Sequence, residues 1–105
     1  GLLEILLKLK KYNLPIMITE NGISCQDDNL RFQFILEHLK SIKEAIDKGI
    51  NVFGYLYWSL LDNFEWENGF SHRFGLLEVD YSTFKRKIRE SAKRFAQICQ
   101  TNNLL

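Results

Sequence analysis

Two short stretches of the chain carry side chains that could do chemistry together. The first is Glu20-Asn21, directly after the apolar run Ile16-Met17-Ile18-Thr19. The second is Trp58, followed by Asp62, Asn63, Glu65 and Trp66, with Phe74 nearby. Carboxylates beside indole rings suit a sugar. The flat apolar face of a pyranose stacks on an aromatic ring, and acids and amides hold its hydroxyls. A carboxylate beneath the anomeric carbon can attack it, or stabilise an oxocarbenium-like transition state. Residue types and spacing alone leave two readings open, a sugar site and a site for another small molecule.

The elements carrying these stretches must bring them to one place. Leu2, Leu6 and Leu9 recur at helical spacing, so residues 2–12 read as a helix that Asn13 and Pro15 end. The run 16–19 reads as a strand buried on both faces, and Glu20-Asn21-Gly22 as the turn after it. Asp27 or Asp28 then caps a long helix. Its apolar stripe is Phe32, Ile35, Leu39, Ile42 and Ile46, at spacings of three and four. Lys48 suits the last turn of that helix and Gly49 the position beyond.

Residues 50–57 form a second strand, in which Gly54 marks a bend or a close approach. Strand, helix, strand is the parallel crossover unit, whose strands end on one rim of the sheet. Glu20, just past the first strand, and Trp58, just past the second, therefore belong side by side. That rim binds ligands in (β/α) barrels and open parallel sheets. Residues 60–73 have no period and read as a long ordered loop. Residues 75–79 and 84–88 form a small hairpin around Asp80-Tyr81-Ser82-Thr83. Ile88, Ala92, Phe95 and Cys99 mark a last amphipathic helix that frays at Asn102 and Asn103.

Composition narrows the partners. The 105 residues are 46% hydrophobic and 26% charged, which excludes a disordered or low-complexity chain. A net charge of +1 gives no support to nucleic acid or an anionic membrane surface as partner. No apolar run approaches the roughly 18 residues of a membrane span. The start, Gly1 to Lys8, is too short and too soon charged for a signal peptide, so a cytoplasmic location is expected. Cys25 and Cys99 lack CxxC spacing and read as free thiols of a reducing compartment. With no P-loop, GxGxxG or zinc pattern, neither cofactor nor metal is expected. Several charged or polar residues read as structural. Asp62 and Arg73 make a loop tie, and His38 lies on the surface. His72 is structural or exposed, and Lys85-Arg86-Lys87 with Arg89 is a solvated face.

Two motifs carry a family resemblance. Ile18-Thr19-Glu20-Asn21-Gly22 resembles the I-T-E-N-G motif of the family 1 glycoside hydrolases, the β-glucosidase family. The second signature resembles Gly54-Tyr55 and the run Trp58-Ser59-Leu60-Leu61-Asp62-Asn63-Phe64-Glu65-Trp66. It continues through Gly69-Phe70, Arg73-Phe74-Gly75-Leu76 and Val79-Asp80-Tyr81. Order and separation match over nearly the whole chain.

The resemblance implies an α/β fold, the C-terminal portion of a (β/α)₈ barrel. Residues 1–105 would supply the end of helix six, strand seven, helix seven, strand eight and helix eight. It implies hydrolysis of terminal β-linked glycosyl residues with retention, by two carboxyl groups roughly 5–5.5 Å apart. Glu20 matches the nucleophile. Trp58 would be the platform of the glycone subsite, and Glu65 would bond sugar hydroxyls. Trp66 would contact a neighbouring hydroxyl, and Phe74 would line the pocket. A carboxylate at Glu65, where the 6-phosphoglycosidase branch has Ser, favours unphosphorylated glycosides.

The acid/base motif T-x-N-E-P is missing, since the only proline is Pro15. The expected partners are therefore a β-glycoside and the missing upstream barrel, and the isolated chain should be inactive. A sugar-binding remnant and the C-terminal half of a split enzyme are the alternatives. Two departures are visible: a short segment between Gly22 and Arg31, and Ile88 where many members open the last helix with Pro.

Overall fold

The computed structural model describes residues 1–104. The first helix, α1, spans Leu2–Leu9 and tightens into a single 3-10 turn over Lys10–Tyr12. Asn13 closes it in the left-handed region at φ 50°, a conformation that asparagine tolerates. The first strand, β1, runs Ile16–Asn21, and α2 runs Asp28–Asp47. The Asp27 carboxylate caps α2 by accepting the amides of Asn29 (2.9 Å) and Leu30. Gly49 follows at φ 83°, and the Lys10 ammonium donates to the carbonyl of Lys48 at 2.7 Å. The second strand, β2, is Val52–Tyr57 and pairs parallel with β1.

The expected helix stripe is present except at its end. Phe32, Ile35 and Ile42 are buried, but Ile46 is 47% exposed. Ile46 borders a groove between the ends of α2 and the C-terminal helix, past the elements that cover the rest of the stripe. The turn expected at Glu20 is also different. Pairing continues to Asn21 opposite Tyr57, so Glu20 lies within β1 rather than beyond it.

After β2 the chain is irregular to Arg73 apart from a single parallel bridge of Leu61 to Leu77 and a 3-10 turn at Trp66–Asn68. A short antiparallel hairpin follows, β3 (Leu77–Val79) with β4 (Arg86–Ile88), and then α3 (Glu90–Thr101). Ile88 does not belong to the last helix. It pairs with Leu77 in the hairpin and is exposed, and the helix opens two residues later after Arg89. The buried positions of α3 are Ser91 and Ile98, while Cys99 faces out. Cys25 and Cys99 are both free.

The main core lies on one face of the two-stranded sheet. Leu6 of α1 and Ile42 and Ala45 of α2 pack on Ile18, Ile50 and Val52. The opposite face is bare, with Met17 at 41%, Phe53 at 65% and Leu56 at 51% exposure. The molecule is accordingly open. Its radius of gyration is 15.1 Å, against about 13 Å for a compact domain of this length. Its surface is 7192 Å², against about 6,100 Å² for a folded monomer of this mass.

Candidate active site

Glu20 lies in a bulge near the end of β1. Ile18 lies opposite Tyr55 and Asn21 opposite Tyr57, so β1 spends one residue more than β2 over this interval. Ile18 packs in the core, and Asn21 turns to the same side, where its Oδ1 accepts from the Tyr55 hydroxyl at 3.0 Å. Between them Thr19 and Glu20 are both exposed. Strict alternation would have set Glu20 on the same side as Ile18, against the helices.

Trp58 follows the last residue of β2, and its amide donates to the Asn21 carbonyl at 3.0 Å. Glu20 and Trp58 therefore sit on adjacent chains at the same end of the sheet. A Cβ at Gly22 would collide with the Trp58 carbonyl, so only glycine lets the chain leave β1 here. The Trp58–Ser59 peptide is cis. Trp58 is 38% exposed, and its indole N–H donates to Glu65 Oε1 at 3.2 Å. Trp58 and Glu65 thus form a direct pair. Trp66 projects into solvent at 83% exposure. Phe74 is half-buried, its ring 6.3 Å from that of His72.

Asp62 behaves as the loop tie expected of it, with a larger set of partners. Its buried carboxylate accepts from Arg73, from the amides of Gly75 and Val79, and from both Nη atoms of Arg89, at 2.9–3.3 Å. Burial pushes the Asp62 carboxyl up, but hydrogen bonds and charge from Arg89, with the two amides, outweigh it and hold it low. Arg89 is therefore no part of a solvated face. Its side chain is only 9% exposed, although Lys85, Arg86 and Lys87 beside it are solvated as expected.

A second buried cation escaped the sequence reading. Arg31 on α2 has no exposed side chain and pairs with Asp28 at 2.8 Å. Its Nη2 donates to the carbonyls of Cys25 and Arg73. This ties the loop after Glu20 to the segment that presents Phe74, where the Tyr57 hydroxyl also donates to the Phe74 carbonyl at 2.9 Å. Asp28 in turn accepts the amide and hydroxyl of Ser91 at the start of α3. The helix-like spacing of Arg31 from Asp28 was the one available signal. Among the described residues no group of three or more His, Cys, Asp or Glu is placed to hold a metal. The rim thus presents one exposed strand carboxylate, an indole-tethered carboxylate, and aromatic walls held by buried charges.

The chain is similar throughout to known proteins of one family. The model for "Glycosyl hydrolase family 1" matches residues 1–104. The beta-galactosidase of Sulfolobus acidocaldarius is 43% identical over 105 residues, 99% of this chain and 21% of that protein. Beta-glucosidase A of Thermotoga maritima is 40% identical over 115 residues, 99% of this chain and 26% of its own length. Among solved structures, the beta-glycosidase from Pyrococcus horikoshii superposes with a TM-score of 0.97 at 46% identity. It is matched over 100% of this chain and 25% of its own. The Thermotoga maritima beta-glucosidase in complex with glucoimidazole is similar at a TM-score of 0.96 and 40% identity. The chain spans about a fifth to a quarter of the relatives it matches. With its signatures, its strand-end carboxylate and this match over nearly every residue, the chain belongs to glycosyl hydrolase family 1.

Proposed function

We propose that this chain is the C-terminal quarter of a retaining β-glycosidase barrel. In this reading β1 and β2 are strands seven and eight, and α2 and α3 are helices seven and eight. Glu20 attacks the anomeric carbon of a terminal β-glycoside while the leaving group departs with the bonding electrons. Water then hydrolyses the glycosyl ester on Glu20 and restores the carboxylate. Trp58 is the apolar platform, Glu65 accepts from sugar hydroxyls, and Trp66 and Phe74 close the glycone pocket. The negative charge of Glu65 disfavours a phosphorylated sugar.

The observation that supports the reading is the bulged end of β1, which leaves Glu20 exposed at the strand end next to the chain that carries Trp58. The same geometry explains why the chain should not work by itself. Retention requires a second carboxyl group to protonate the leaving oxygen. Asp62 is buried and held ionised by its five donors, so it has no proton to give. Glu65 is tethered to Trp58. The acid must come from the upstream part of the barrel.

The test is an assay with an aryl β-glucoside. The 105-residue chain should give background turnover. A composite barrel, in which this chain follows the upstream part of Thermotoga maritima beta-glucosidase A, should be active. Glu20→Gln in that barrel should lower kcat by more than about a thousandfold. Turnover by the isolated chain, or survival of activity in Glu20→Gln, would overturn the assignment.

A further inference from the structure

This inference rests on Glu20 being the nucleophile, and it concerns what aims it. A bulge is a local departure that needs something to hold it, because the regular ladder offers a competing register. Here Asn21 is pinned at two atoms. Its main-chain carbonyl accepts from the Trp58 amide at 3.0 Å, and its Oδ1 accepts from the Tyr55 hydroxyl at 3.0 Å. Tyr55 is itself fixed. Its ring packs half-buried against the core and meets Phe95 of α3 edge-on, with centroids 6.1 Å apart.

We propose that Tyr55, acting through Asn21, is a positioning residue that locks the β1 bulge and so aims Glu20 at the anomeric carbon. Tyr55 works from the helix side of the sheet and touches no substrate. Releasing Asn21 would let β1 relax toward plain alternation and swing Glu20 toward the helices. Burial raises the Tyr55 phenol well above its ordinary value, so the hydroxyl keeps its proton and its role as donor.

The experiment uses the composite barrel. Tyr55→Phe removes one oxygen, and kcat for an activated aryl β-glucoside should fall about tenfold with KM changed less than about twofold. The decisive readout is a second background. In Glu20→Gly, added azide takes the place of the carboxylate. It forms the bond to the anomeric carbon as the aryloxide leaves, giving the glycosyl azide of inverted configuration. With no carboxylate left to aim, Tyr55→Phe should leave that azide rate unchanged. An equal loss in both backgrounds would overturn the proposal, since a merely structural tyrosine predicts it. Asn21→Ala opens the same clamp from its other end and serves if Tyr55→Phe lowers folding. It should cost the same factor, and the double variant no more than either single. Additive losses would sink the clamp. Turnover that persists in Glu20→Gly without azide would remove the nucleophile reading, and this proposal with it.

Discussion

The β1–α2–β2 unit and the segment from Trp58 to α3 meet at the rim, yet different forces fasten them. In the first, Leu6, Ile42 and Ala45 are pressed onto Ile18, Ile50 and Val52, and one sheet face is covered while the other is bare. In the second, fewer apolar side chains are buried, chiefly Leu76, Val79 and Ile98, and the wall is drawn together by Asp62 with Arg73 and Arg89. Apolar packing is non-directional and sets no single angle. A buried carboxylate with five donors does set one, at a cost in desolvation. The difference matches the tasks. The sheet must carry one carboxylate at the end of a strand, whereas an irregular loop of more than ten residues must hold Glu65 in reach of the Trp58 indole.

Removing one centre from each region tests that contrast. Asp62→Ala strands Arg89 and leaves two amides unpaired, and should cost the composite barrel about 3–5 kcal/mol in urea denaturation. Ile42→Ala deletes buried methyl groups from the apolar unit and should cost about 2–4 kcal/mol. The two should also differ in kind. Asp62→Ala should raise KM for a glycoside, because Glu65 loses its support, while Ile42→Ala should lower stability with KM unchanged. If Ile42→Ala moved KM and Asp62→Ala did not, the division of labour would be reversed.

How far each region could be read in advance follows from the same physics. The helix over Phe32, Ile35, Leu39 and Ile42 was legible because apolar periodicity is a property of the local sequence. So was the cap at Asp27. At Glu20-Asn21-Gly22 only the glycine was legible, demanded by the Trp58 carbonyl, because pairing with β2 carries the strand on through Asn21. The bulge was not, because register belongs to a pair of strands, and nothing in residues 16–21 alone states what β2 will place opposite them. The burial of Arg89 and Arg31 was invisible for a related reason. A charged side chain is buried only when partners converge on it, and Asp62 lies 27 positions from Arg89. Ile88 was misplaced because a short antiparallel pairing with Leu77 outweighs its helical spacing from Ala92 and Phe95.

Acid should act on the charge-fastened region first. Asp62 is held below its ordinary value as described. In Asp28, burial pushes the carboxyl up, but hydrogen bonds from Ser91 and Arg31 more than offset it. Both folded values therefore lie under the unfolded aspartate value of about 3.9. A depressed acid contributes stability that is fully present above the unfolded value and is lost as pH falls through the folded one. Asp80, lowered to about 2 by the Ser82 hydroxyl and amide and by Thr83, adds to the same window. Urea midpoints of the composite barrel should be level from pH 7 to 5 and decline below pH 4. Asp28→Asn should flatten that decline. A midpoint independent of pH down to 2.5 would show that these carboxylates do not fasten the loop and α3.

The smallest effect expected in the isolated chain is also the sharpest probe of the bare sheet face. Phe53 is 65% exposed on β2 and shares that face with Met17 and Leu56. In the isolated chain Phe53→Thr removes little buried area, so its stability should change by less than about 0.5 kcal/mol. Its tendency to self-associate should fall, because an exposed apolar patch beside open strand edges invites pairing between copies. On the proposed barrel reading, the same face would turn toward the upstream strands in the composite barrel. The phenyl ring would then be withdrawn from water, and Phe53→Thr should cost about 1.5–3 kcal/mol. Light scattering of the chain and urea denaturation of the barrel read the two halves of the prediction. An equal, negligible cost in both would mean that the bare face is not where the rest of the barrel packs. The contrast between a half-covered sheet and a self-sufficient charged loop would then have to be redrawn with another covered face.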